Sequence, residues 1–213
     1  MGIILPLFLG IIISAIGVAL PGLINMTAAK ISLRDGRTRA LVFAAGATFI
    51  VFFQTYIAVS FAKFINGTPG IIDLLQEIGL GIFAVLTLYF LFFAKKPVTQ
   101  KEEAAVLVEK SKTGRFFLGA LLSALNFFPV PFYVFASITL STYGYFELDD
   151  HLFVLLFVVG VMIGSFTIFY LYIVFFKKVK QKTDFFMKNI NYIIGTVTGL
   201  VSIITFIRIM RNL

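Results

Sequence analysis

Six stretches of this chain carry no charged residue over the roughly 20 positions that a helix needs to cross a hydrocarbon core. They are Met1–Ala29, Ala40–Ala62, Ile78–Ala94, Phe116–Phe146, Leu152–Phe176 and Asn189–Ile207. In lipid, a backbone must satisfy its own N–H and C=O groups, and a helix does so within one segment. The pattern predicts an all-α membrane protein with six transmembrane helices. Composition agrees: 60% of the 213 residues are hydrophobic and 13% charged, too few polar residues to clothe a water-soluble domain of this size. The third run is the shortest. Extending it back toward Ile71 brings Asp73 and Glu77 to its entrance.

Charge sets the orientation. The connections after the first, third and fifth runs hold 15 of the 18 Lys and Arg residues, while the connection after the fourth is acidic (Glu147, Asp149, Asp150). Basic loops stay on the cytoplasmic side, so the expected topology is multi-pass in the cytoplasmic (inner or plasma) membrane with both termini outside. The net charge of +8 is thereby accounted for without nucleic acid as a partner. The expected partners are the bilayer and a small-molecule substrate, with a homo-oligomer also compatible. No cleavable signal is expected, because the first apolar run lacks a basic leader and is too long. The expected organisation is a first three-helix half (1–94), a cytoplasmic linker (95–115) and a second three-helix half (116–213).

The first run is broken by Pro21-Gly22, and the fourth by Pro129 and Pro131. Gly10, Ser14 and Ala15 recur as Gly119, Ser123 and Ala124, each 109 positions later. An odd helix number per half sends the second half through the bilayer in the opposite sense. The expected fold is therefore two inverted three-helix repeats with helices 1 and 4 broken, an arrangement that places substrate sites at the paired breaks. Proline removes a backbone donor and clashes one turn back, glycine tolerates unusual backbone angles, and the freed polar groups must line a cavity or be buried in protein. Ser14, Pro21, Gly22, Asn25, Gln54, Ser123, Asn126, Pro129 and Pro131 are the candidate substrate pathway. Asp73 and Glu77, spaced i, i+4, are candidates for proton coupling. Gly160-x-x-x-Gly164 and Gly195-x-x-x-Gly199 read as helix-packing faces.

Other chemistry finds little footing. There is no cysteine, and His151, the sole histidine, lies beside Asp149 and Asp150 in an outer loop. A membrane-embedded Ser–His dyad, a thiol relay, a metal cluster and a phosphate-binding glycine loop are thus not expected, nor is any cofactor or enzymatic activity.

Pro21-Gly22, then Lys30 and the Arg34-Asp35-Gly36-Arg37 turn, then Gly46 resemble the LysE/RhtB-type amino-acid exporters along essentially the whole chain. The resemblance implies proton-coupled export of amino acids or similar small metabolites. The chain departs from the family at three places. Leu23 follows Pro21-Gly22 in place of a second proline, Phe128-Pro129-Val130-Pro131 has no lysine where the family places one, and Val51 and Phe52 stand where many members carry an aspartate. A neutral or weakly polar substrate is therefore expected over a dibasic one. The competing readings are a non-transporting membrane scaffold and an ion permease, the latter disfavoured by the scarcity of carboxylates in the spans.

Overall fold

The computed structural model describes residues 4–68, 70–93, 111–188 and 190–212; among them there are helices and no strand. Helix α1 (Leu5–Val18) is followed by α2 (Leu23–Asp35), bent from it by 81°. Helix α3 (Arg37–Asn66) is long and continuous, and α4 (Ile71–Leu88) runs into a π-helical turn, Tyr89–Phe93. Then come α5 (Lys112–Ala124) and α6 (Pro129–Thr142), bent by 62°, followed by α7 (His151–Lys188) and α8 (Ile190–Asn212). Both expected breaks are therefore present. Among the described residues, α3 and the 151–175 part of α7 can each cross a membrane by length and apolarity, and each bent pair qualifies when taken together. The third and sixth expected spans hold shorter apolar helical stretches, Leu80–Phe93 and Thr198–Ile207.

The chain folds as two compact units, residues 1–66 with 108–179 and residues 67–107 with 180–213. In the first unit the packing is inverted relative to a water-soluble protein. Its buried positions include small residues such as Ala28, Ala29, Ala40, Ala44, Ala47, Ala58 and Ala62, while Phe8, Ile12, Ile16, Phe49, Phe53, Phe61 and Phe64 point outward. Small residues between helices allow close backbone approach, and large apolar side chains face lipid at no cost. A larger apolar core forms where Val51, Ala58 and Val59 of α3 meet Tyr133 of α6 and Phe153, Phe157 and Val161 of α7.

Two helix crossings in this unit are made backbone to backbone. At the first, α1 lies on α7: a methyl group on Gly10 would overlap the Phe157 carbonyl oxygen, and one on Gly160 would overlap that of Leu7. At the second, α5 lies on α3: a methyl on Gly119 would overlap the Phe43 carbonyl oxygen, and one on Gly46 that of Phe116. In each case the glycine meets the carbonyl three residues before the opposing glycine, so the two crossings share one reciprocal pattern. Gly164 adds a close contact with Ser14 and Ile11 on α1, so the Gly160-x-x-x-Gly164 face does pack.

Ion pairs pin the unit at two places. Asp35, at the end of α2, pairs with Arg115 in the first turn of α5, and the two side chains are 3% and 0% exposed. Arg115, the last residue of the expected linker, is thus a fully buried helix residue. Lys63 and Asp149 form a second pair at 2.8 Å, with both side chains exposed; such pairs contribute little to stability. Asp150 caps α7, its Oδ1 accepting from the amides of Leu152 (2.7 Å) and Phe153 (3.2 Å).

The second unit pairs α4 and its π turn with α8. Gly195 sits against Leu91, Gly199 faces Thr87, and the hydroxyls of Thr87 and Thr198 are 3.0 Å apart. The Gly195-x-x-x-Gly199 face is therefore also a packing face.

Candidate substrate site at the helix breaks

A helix that stops inside a membrane leaves its last carbonyls without partners. In this chain each break is sealed by a side-chain amide. At the first break, Asn25 Nδ2 donates to the carbonyls of Val18 (2.7 Å) and Leu20 (2.8 Å). The Tyr172 hydroxyl, from α7, donates to the carbonyl between them, that of Ala19, at 2.9 Å. At the second break, Gln54 Nε2 reaches from α3 to the carbonyls of Ser123 (3.0 Å) and Asn126 (2.9 Å). Asn126 folds its own side chain back, its Oδ1 accepting from the Phe128 amide at 3.3 Å.

The starts of the second half-helices differ. No side chain caps α2, so the first-turn amides of Leu23 and Ile24 are left to other partners. In α6, Pro129 and Pro131 remove two first-turn donors outright. Gly22 is extended, at φ −129° and ψ 178°, a conformation open to any residue. The break therefore does not draw on glycine's conformational freedom there, and the expected role of Gly22 in tolerating unusual angles is not used.

The breaks lie against one another. A methyl on Gly17, just before the first break, would sit 2.6 Å from the ring of Phe132, in the first turn after the second break. Phe132 in turn stacks on Phe128, with centroids 6.1 Å apart. Of the candidate pathway residues, Ser14, Asn25, Gln54 and Ser123 are buried in this region. The Ser14 hydroxyl donates to Ile11 at 3.3 Å and touches Gly164, which is a packing arrangement. Glu77 is exposed on α4, in the second unit, and the side chain of Asp73 lies outside the described residues. Sequence reasoning did not single out Tyr172, Phe132 or the Asp35–Arg115 pair. Asp35 carried a hint, being the one acidic residue among the basic residues that follow the first run.

Two apolar helices long enough to cross a membrane, with two proline-broken pairs that qualify when each is taken together, have the build of a multi-pass membrane protein. The chain belongs to the LysE type translocator family, whose model matches residues 15–207. No curated protein and no solved structure matches it. The family confirms the resemblance carried by Pro21-Gly22, the Arg34–Arg37 turn and Gly46.

Proposed function

We propose that this protein is a secondary exporter of amino acids or similar small metabolites across the cytoplasmic membrane, working by alternating access around the two helix breaks and coupled to the proton gradient. The observation that carries the reading is the pairing of the breaks: two helices interrupted at matching places, abutting at Gly17 and Phe132, each with an amide holding its freed carbonyls. A chain that needed only a kink for packing has no reason to build the same polar device twice. The reciprocal glycine crossings support the inverted-repeat reading. The contact α1 makes with α7 is the contact α5 makes with α3, as a two-fold axis in the membrane plane would require. The orientation, with both termini outside, rests on the distribution of basic residues.

In this reading the first turn of α2, which no side chain caps, receives a carboxylate, favoured there by the first-turn amides and the positive end of the helix dipole. The carbonyl ends of α1 and α5 favour the opposite charge. With Asp35 already paired to Arg115, no other carboxylate is buried among the described residues, so nothing holds the second cation of a dibasic substrate. Liposomes loaded with labelled leucine, threonine or lysine should release the first two faster than lysine; release of lysine alone would overturn the preference.

Replacing Pro21 or Pro129 by alanine restores a backbone donor and lets the helix run on. Efflux should fall about 10-fold or more in each variant, because displacing a binding group by an ångström already has large effects, while the amount of protein in the membrane stays unchanged. Full efflux in both would defeat the site assignment.

A further inference from the structure

The two amides that seal the breaks share a second property. Each nitrogen faces two backbone carbonyls, which only accept, so the orientation of each amide is fixed by its partners. Both N–H groups of each amide are then used, which leaves the oxygen as the amide's remaining hydrogen-bonding atom. Asn25 Oδ1 and Gln54 Oε1 are both fully shielded and have no hydrogen-bond partner, in residues only 3% and 8% exposed. The Tyr172 hydroxyl is hydrogen-bonded to the Asn25 side chain, but its own proton goes to Ala19, so it offers Asn25 Oδ1 no donor. A buried acceptor left without a donor is costly, and this protein carries an unpaired amide oxygen at each break.

We propose that Asn25 Oδ1 and Gln54 Oε1 are acceptors for the substrate's ammonium, so that the transported class is recognised through N–H donors on a primary or secondary amine. The inference rests on the exporter reading and narrows it. Three features select this ligand chemistry. An ammonium offers three donors and no acceptor, the complement of a bare amide oxygen. Both oxygens lie at the carbonyl ends of half-helices, where the dipole favours a cation. Both acceptors are neutral, so the cation is held by hydrogen bonds and helix dipoles and is released without separating a full ion pair. A carboxylate or phosphate alone would meet a lone-pair oxygen at either acceptor and be repelled. In the present conformation the oxygens are closed off, and Phe132 packed on Gly17 lies between the breaks.

The test uses the purified full-length protein, leucine and threonine, and the N,N,N-trimethyl derivative of each. The derivatives keep the positive charge and the carboxylate but carry no N–H. Two readouts are taken: efflux from loaded liposomes, and thermal stabilisation of the protein in detergent. The free amino acids should leave and stabilise; the trimethyl forms should leave at least about 10-fold more slowly, the equivalent of one lost hydrogen bond to a charged group, and should not stabilise. The Gln54→Lys variant keeps donors for the Ser123 and Asn126 carbonyls but has no acceptor, so it should remain folded and lose stabilisation by leucine. Equal behaviour of the trimethyl and free forms would overturn the inference. So would the absence of stabilisation by either free amino acid, or unaltered stabilisation in Gln54→Lys. If leucine stabilises selectively but does not leave the liposomes, the amine site stands and the exporter reading fails.

Discussion

Arg115→Met should lower the stability of the protein by about 3 kcal/mol, the lower end of the cost of breaking a buried ion pair. Arg115 is fully shielded, and its ion pair with Asp35 joins the end of α2 to the start of α5, segments separated by 80 residues of sequence. Removing the guanidinium leaves the shielded carboxylate with only the longer contact to Arg34 Nε, 3.7 Å away. The double variant Asp35→Leu/Arg115→Met should recover much of the loss, since apolar replacement of a whole buried pair is often neutral. With no tryptophan and no cysteine in the chain, the fraction of monodisperse protein surviving heating is the direct readout. At about 2–4 °C per kcal/mol for a chain of this length, the single variant should melt roughly 10 °C lower. A change of less than a few degrees, or a double variant worse than the single, would count against a structural ion pair. The exposed Lys63–Asp149 pair serves as the comparison, and Lys63→Met should leave the melting temperature nearly unaltered.

Gly119→Ala is the second substitution with a large expected effect. The added methyl would meet backbone, the carbonyl of Phe43 and the amide nitrogen of Ala47, so no rotamer change can make room for it. Overpacking of a core commonly costs about 1–3 kcal/mol, and a backbone-on-backbone crossing belongs at the upper end of that range. Gly46→Ala, on the opposing helix, meets Phe116 and should match it. By contrast Gly81 on α4 has open space around it, so Gly81→Ala should be neutral or slightly stabilising, following helix propensity alone. If all three variants melt alike, the close crossing is not a source of stability.

The broken helices were legible in the sequence because proline acts locally: Pro21, Pro129 and Pro131 remove donors and clash within their own segment. The packing faces at Gly160/Gly164 and Gly195/Gly199 were legible for the same kind of reason, since spacing on one helix places small residues on one side. The polar character of Asn25 and Gln54 was visible too. What those amides do was not, because their partners are chosen by tertiary folding. Gln54 serves carbonyls about 70 residues further along the chain, and no local pattern announces that. Arg115 shows the opposite failure. Counted as a basic loop residue, it is a helix residue buried against Asp35, and an arginine near a membrane boundary reads the same in either role. Gly22 looked like a conformational requirement and proves to be extended, because the turn at residues 19–22 is made with ordinary backbone angles.

The reciprocal glycine crossings have a mechanical consequence. Where backbone lies directly on backbone there is no layer of side chains to flex, so each crossing behaves as a rivet. One rivet fastens α1 to α7 and the other fastens α5 to α3, and both lie in the half-helices that precede the breaks. The segments that follow the breaks are held by side chains instead: α2 by Ser32 on the Ile173 carbonyl and Asp35 on Arg115, and α6 by Tyr133 in the apolar core. Side-chain contacts give way more readily than backbone laid on backbone, so a rearrangement of this unit would cost least in the distal segments and leave the two crossings as its fixed points.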